Sequence, residues 1–310
     1  MDSVVEEGDK RMDRSSVHID PRDRIQKPHY GRVFLTFARN SLVRDMTFRS
    51  NFIIETISSL SWMFMNLGFY LLIFSYTDVI GVATGWTQYE FFVFFATVAI
   101  INSLVQTFFM PNAQEFSELI RTGNLDFALL KPIDTQFLIS LQKVNWSGLG
   151  NTGFAILLLL FSLWQLCNRQ AGFSLHPIQV LLYPMYVLCG VIILYSLMIA
   201  LSATSIWLGR NQSLYNFWFY ITNFSRYPME IYSGPAGDPR RWIGESLRNF
   251  FSFVIPVLLA VNVPARLLAK PLDPSNTALA VYTVFGTIAS FLVSRMVFYR
   301  ALRGYRSASS

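Results

Sequence analysis

With 310 residues, 53% of them hydrophobic, a mean hydropathy of +0.38 and only 14% charged side chains, the chain is far more apolar than a soluble domain, whose charged share is about 25%. That composition excludes an ordinary soluble globule and indicates a membrane protein, one whose 28 Phe, 14 Tyr and 7 Trp suit lipid-facing and interfacial positions. The formal net charge of +6 points to orientation in a membrane and not to nucleic acid, because acids are interspersed among the bases and no basic patch forms.

Residues 1–29 carry seven acids and six bases with hardly any large apolar side chains, too little to offset chain entropy by burial, and are expected to be a disordered cytoplasmic tail. No cleavable signal peptide is visible, since the first apolar run begins after residue 50. Residues 30–50 read as an amphipathic helix with Tyr30, Val33, Phe34, Phe37, Ala38 and Leu42 on one face and Arg32, Thr36, Arg39, Asn40 and Thr47 opposite. Two placements fit: flat on the membrane with the arginines toward lipid phosphates, or packed on protein.

Residues 51–310 form the transmembrane domain. The run 53–74 holds one charge, Glu55, and exceeds the ~20 residues needed to cross a hydrocarbon core; 91–110 is uncharged and forms the second span. Ten of the 25 Lys/Arg precede residue 51, whereas 75–90 has none, so the leader is expected inside and that loop outside.

Residues 112–135 then return to the cytoplasmic side, and being ionic they cannot sit in lipid. They read as a short amphipathic helix with Phe116, Leu119 and Ile120 on one side and Glu115, Glu118 and Arg121 on the other. The helix breaks at Gly123-Asn124, and a second turn through Leu125 and Asp126 is closed by Lys131-Pro132. A helix–glycine–helix stub between spans is a natural handle for a soluble partner.

Further spans are expected at 149–166 and 178–208, with Pro184 marking an interfacial turn in the second of these. A fifth span begins near Leu214 but soon meets Arg226, Pro228 and Glu230. Charges at mid-bilayer cost about 2.5–3.5 kcal/mol each. The pair is therefore expected at the outer interface, in a wet cavity or joined at i,i+4, the interface being favoured. The run 250–265 is short, contains Pro256 and Pro264, and is flanked by Arg240, Arg241 and Arg248 on one side and by Arg266 and Lys270 on the other. If it crossed, the last span at 276–294 would deliver Arg295, Arg300, Arg303 and Arg306 outside. Parity therefore makes 232–270 an outer re-entrant hairpin turning at its prolines, with irregular backbone covered by protein. The expected fold is all-α, with six transmembrane helices and both termini cytoplasmic. This places 18 of the 25 Lys/Arg inside.

Ile120-Arg121-Thr122-Gly123-Asn124-Leu125-Asp126, followed by Leu129-Leu130-Lys131-Pro132, resembles the loop after the second span in bacterial type-2 ABC transporter permeases, in the branch with Arg-x-Gly-x-Leu-Asp-x-x-Leu-x-x-Pro. In that family the loop is the coupling helix that docks on the ATP-binding subunit. Arg226-Tyr227-Pro228, Ile255-Pro256 and Pro264-Ala265 are similar to the family's segment before its last span, a re-entrant helical hairpin on the outer side. The resemblance implies a bacterial inner-membrane permease that exports its cargo. It also implies two ATP-binding subunits carrying ATP and Mg, and a second permease chain, identical or homologous.

Motifs for chemistry on this chain are missing. No Gly-x-x-x-x-Gly-Lys-Ser/Thr occurs, and Gly209-Arg210-Asn211-Gln212-Ser213 lacks the second Gly and the Lys that cradle phosphate. His18, His29 and His176 lie outside the spans with no Cys or carboxylate at ligand spacing, and Cys167 and Cys189 fall at or inside apolar runs, so neither a metal site nor a disulfide framework is expected. Gly-x-Ser-x-Gly is absent. The competing readings are an ion-coupled carrier or channel using Glu230 and Arg226 within the membrane, and a membrane-embedded enzyme, which the absence of intramembrane His, Asp pairs or a nucleophile motif disfavours.

Overall fold

The structure, a computed structural model, describes residues 29–81, 85–169, 173–208, 212–234, 237, 239–270 and 274–305. The expected tail, except His29, and the tight loop at 209–211 lie outside the described residues. The chain opens with α1 (Tyr30–Thr47) and α2 (Arg49–Phe74), then a two-stranded ribbon of β1 (Val79–Ile80) against β2 (Trp86–Thr87). It continues through α3 (Gln88–Phe108), α4 (Met110–Arg121), α5 (Leu125–Leu129), α6 (Thr135–Leu141) and α7 (Leu149–Arg169). After α8 (Pro177–Ala203), α9 (Ser205–Leu208) and α10 (Gln212–Asn223) come α11 (Arg241–Asn249), α12 (Val257–Ala269) and α13 (Pro274–Arg303).

Five helical stretches among the described residues are long and apolar enough to cross a membrane: Arg49–Phe74, Gln88–Arg121, Trp146–Arg169, Pro177–Leu208 and Thr277–Arg303. A sixth candidate is the pair Arg241–Val254 and Val257–Ala269, bent by 88°. The protein is thus an all-α multi-pass membrane protein. Helices α3 and α8 are enclosed by their neighbours, while α2 and α13 turn Trp62, Phe64, Phe285 and Val293 outward, as lipid-facing helices do.

The fifth expected span is a short helix, in keeping with the dozen apolar residues before Arg226. Helix α10 has 12 residues, about 18 Å of rise. The chain then continues through 3-10 turns at Phe224–Arg226 and Met229–Ser233. That irregular backbone is bonded by protein: the Met229 amide donates to the Asn262 side-chain carbonyl at 2.9 Å, inside α12, and Asn262 donates in turn to Leu258 O at 2.8 Å.

Two prolines behave differently from expectation. Pro184 lies inside α8 and Pro264 inside α12, and both helices run on through them; of the prolines at 250–265, only Pro256, capping α12 after a π-helical turn at Phe250–Val254, sits where the chain bends. A packed helix tolerates proline when neighbours absorb the freed carbonyl. Here Pro264 leaves Ala260 O without its i+4 donor, and that oxygen faces Gly190 of α8 so closely that a Cβ built there would sit 2.3 Å from it. Gly190 therefore permits the close crossing of α8 and α12.

Candidate functional site

The ionic hairpin is a prolongation of a span. Helix α4 follows α3 directly, with one distorted residue, Phe109 (φ −116°, ψ −35°), so Gln88–Arg121 forms a 34-residue rod. Gly123 at φ 73° makes the expected break, a conformation glycine adopts without strain, and α5 folds back. Glu118 and Arg121 pair side by side with the Arg121 Nε–Oε2 distance 2.7 Å, and Glu115 meets Lys143 Nζ at 2.6 Å.

The predicted docking residues divide by burial. Phe116 and Leu125 are fully buried: Phe116 lies against the Phe298 ring of α13 with centroids 5.9 Å apart. They are corrected from docking surface to internal supports, because an apolar face meets whatever apolar surface is nearest, here another helix of the same chain. Leu119, Ile120, Gly123 and Asp126 are half-buried. Glu118, Arg121 and Asn124 are exposed, and so are Phe127 and Leu130 of the same hairpin, 68% and 80%.

The hairpin's base is latched to two spans. Asp134 caps α6 by accepting from the Phe137 amide at 3.0 Å, and its other oxygen accepts from Arg295 and the Tyr299 hydroxyl, both at 2.7 Å. Two residues on, Gln136 donates to the Tyr195 hydroxyl of α8 at 3.0 Å, which also bonds Ser140 at 2.8 Å. Burial alone would push the Asp134 carboxyl up, but the bonds from Tyr299, the Phe137 amide and Arg295 outweigh it and hold the group below the usual carboxylate range. A depressed folded value means that the latch stabilises fully above about pH 3.9 and loses that contribution as pH falls through the folded value. Asp134→Asn is expected to melt at lower temperature than wild type at pH 7, with the gap narrowing as pH is lowered below about 3.9 toward the folded value. Thermal melts of the solubilised protein check this, and a gap independent of pH would refute it.

At the far end of α3 a charged cluster joins distant segments. Glu90 accepts from Lys270 Nζ at 2.7 Å and from the Thr87 amide at 2.9 Å, while Lys270 also donates to Gly85 O at 2.7 Å and lies over the Trp86 ring. Glu230 pairs with Arg266 at 3.2 Å and accepts from Trp86 Nε1 at 3.2 Å. The expected alternative of a Glu230–Arg226 pair is therefore not formed, since α12 brings a nearer cation. Arg226 instead lines a groove of about 190 Å³ between α2, α3, α7 and α10. Its walls carry the carboxamides of Asn66, Asn102, Gln106, Asn151 and Asn223 beside Trp62, Tyr70, Phe95 and Trp218.

Residues 60–309 match the family model described as ABC-2 family transporter protein, a stretch that runs from mid-α2 to beyond α13 and holds the hairpin, the groove and the bent pair. The chain belongs to the ABC-2 transporter family. No match was found among curated proteins or among solved structures. This ABC-2 chain is accordingly a membrane permease component of an ABC transporter, a class that associates with ATP-binding subunits and is not itself catalytic.

In the ABC-2 permease, one edge of α1 packs on the rest of the chain. Phe34 packs toward Phe108 with ring centroids 6.2 Å apart, Phe37 is half-buried, and Ser41 accepts from the Val144 amide at 3.1 Å. Trp146 donates through its indole to Ala38 O at 3.1 Å. Arg32 and Arg39 are exposed, as are Leu35 and Val43, 67% and 60%, which remain uncovered by the chain. Sequence reasoning passed over Phe127 and Leu130, whose signal was two large apolar residues in an otherwise ionic loop. The groove's carboxamides gave no signal in the sequence, because an uncharged Asn or Gln leaves an apolar run unbroken.

Proposed function

We propose that this chain is the membrane-spanning subunit of an ATP-driven exporter in a bacterial inner membrane. It acts with a second permease chain, identical or homologous, and with two ATP-binding subunits that carry ATP and Mg. Those subunits dock on the hairpin 112–135, in the branch of the family with the Arg-x-Gly-x-Leu-Asp loop. The observation that carries the reading is the pair of exposed apolar side chains Phe127 and Leu130, on the same hairpin as the exposed Glu118 and Arg121 and tied to the spans at its base. Large apolar residues rimmed by charge are what a soluble partner's groove recognises.

The hairpin converts motion of that partner into motion of spans. Nucleotide binding closes the two ATP-binding subunits and displaces the tip at Glu118–Phe127. Because α3 and α4 form one rod, the displacement is carried along α3, and through Asp134–Arg295 and Gln136–Tyr195 it reaches α13 and α8. A state with the spans tilted open is stabilised only to the extent that the partner binds it better. Both termini lie on the cytoplasmic side with the hairpin. The bent pair α11–α12 enters from the outer face, turns at Pro256 and leaves again. Support comes from Lys270, just past α12, reaching Glu90 at the start of α3.

The test is co-reconstitution with the ATP-binding subunit. Phe127→Asp with Leu130→Asp is expected to lower ATPase stimulation at least about tenfold, from loss of hot-spot contacts worth 1 kcal/mol or more each, with insertion and melting temperature unchanged. Full stimulation in the double variant would overturn the docking assignment. Labelling of Asn124→Cys from the outer medium of intact cells would overturn the topology.

A further inference from the structure

The groove between α2, α3, α7 and α10 carries unmet hydrogen-bonding capacity inside the apolar part of the chain. The side chains of Asn102 and Gln106 make no hydrogen bond within the described residues, and the buried side-chain oxygen of Asn151 has no partner there. Carboxamides in lipid-spanning helices are costly unless water or a ligand satisfies them. Three of them around one opening point to a path through which polar groups pass.

The charge in that groove has one sign. Arg226 is its only charged lining residue among those described, exposed and paired with no carboxylate. The acids that could have neutralised it are engaged elsewhere: Glu55 accepts from Asn145 at 2.8 Å, Glu90 holds Lys270, and Glu230 holds Arg266. An aromatic wall of Trp62, Tyr70 and Trp218 could receive an organic cation by itself, but an uncompensated guanidinium beside it repels one. A guanidinium is also the side chain best shaped to hold a carboxylate, sulfonate or phosphate by paired hydrogen bonds. The volume is below the roughly 300 Å³ at which a drug-sized ligand is enclosed, and Trp62 on α2 is 59% exposed. A ligand here is held by part of its length and reaches the groove from the side.

Resting on the permease reading above, we propose that this groove is a cargo site selective for anionic amphiphiles, with Arg226 holding the acidic head, the carboxamides solvating it in transit and the aromatic wall holding the apolar portion.

The experiment uses the full chain alone in nanodiscs of neutral phosphatidylcholine, with three photoreactive diazirine probes of equal chain length ending in sulfonate, hydroxyl or trimethylammonium. Mass spectrometry locates the labelled peptides. The expected result is that the sulfonate probe labels α2 and α10 in preference to the others. Arg226→Gln removes the preference with a loss of about tenfold or more, as for a hydrogen bond to a charged group, and Arg226→Lys restores part of it. Lipid-facing labelling of α13 serves as the internal reference and stays constant. Equal groove labelling by all three probes, preference for the ammonium, or labelling insensitive to Arg226→Gln would each overturn the proposal. The ATP-binding subunit is absent from this assay. A failed docking hypothesis therefore appears only as ATPase stimulation retained by the Phe127→Asp, Leu130→Asp variant, separately from the binding result.

Discussion

Gly190→Val is expected to lower the stability of the solubilised protein by at least about 1–3 kcal/mol, the usual cost of forcing bulk into a packed core. A Cβ at Gly190 would stand 2.3 Å from Ala260 O and 2.9 Å from Ile101 Cδ1. The nearer atom is backbone, held in a helix enclosed by α3, α8 and α13, so no side-chain rotation relieves the contact. Either α12 moves away from α8 or α8 distorts, and both disturb the seat of the bent pair. Gly153→Ala in α7 is the matched control: nothing lies within 4 Å of its added carbon, and alanine favours helix over glycine by about 1 kcal/mol. Thermal melts of the two variants beside wild type check the expectation. Equal melting temperatures for Gly190→Val and wild type would show that the α8–α12 crossing has slack that the structure does not contain.

Phe116→Ala should be the most damaging change in the hairpin although the residue presents no surface to a partner. Removing a buried phenylalanine from a soluble core costs about 3–5 kcal/mol, and Phe116 is fully buried with its ring near Phe298 of α13. The spans themselves do not depend on it, so the variant should insert normally, but α4 loses its apolar hold on α13. Local opening of the hairpin then becomes more frequent, and protease cleavage near Gly123–Asn124 in membranes should accelerate, since that rate follows the population of the opened form. ATPase stimulation should fall as well, because a hairpin free at its base cannot transmit displacement. Phe116→Leu should recover part of both. Unchanged cleavage of Phe116→Ala would mean that the Asp134 latch holds the hairpin alone.

These two residues illustrate what a single sequence conceals. The i,i+3,i+4 spacing of Phe116, Leu119 and Ile120 revealed an apolar face, but periodicity is blind to whether that face meets lipid, another subunit or a helix nearly two hundred positions away. The same limit explains α1, which packs one edge on protein and leaves another edge uncovered. Proline carries a related ambiguity. Pro256 and Pro264 look alike in the run 250–265, yet only the first stands at a bend, because the carbonyl freed by the second is accommodated against Gly190.

Read alone, the amino-acid order determined the membrane class, the places of the five long apolar helices, the ionic hairpin with its glycine break and the absence of a nucleotide-binding loop on this chain. Those features follow from local composition: apolar length against bilayer thickness, and the backbone freedom of one residue. Tertiary structure alone decided which charges meet, Glu90 with Lys270 and Glu230 with Arg266, leaving Arg226 open to a groove, and which face of the hairpin remains exposed. Ion pairs and burial depend on where helices far apart in the chain come to lie, and a pairing across 180 residues leaves no trace in the spacing of either partner.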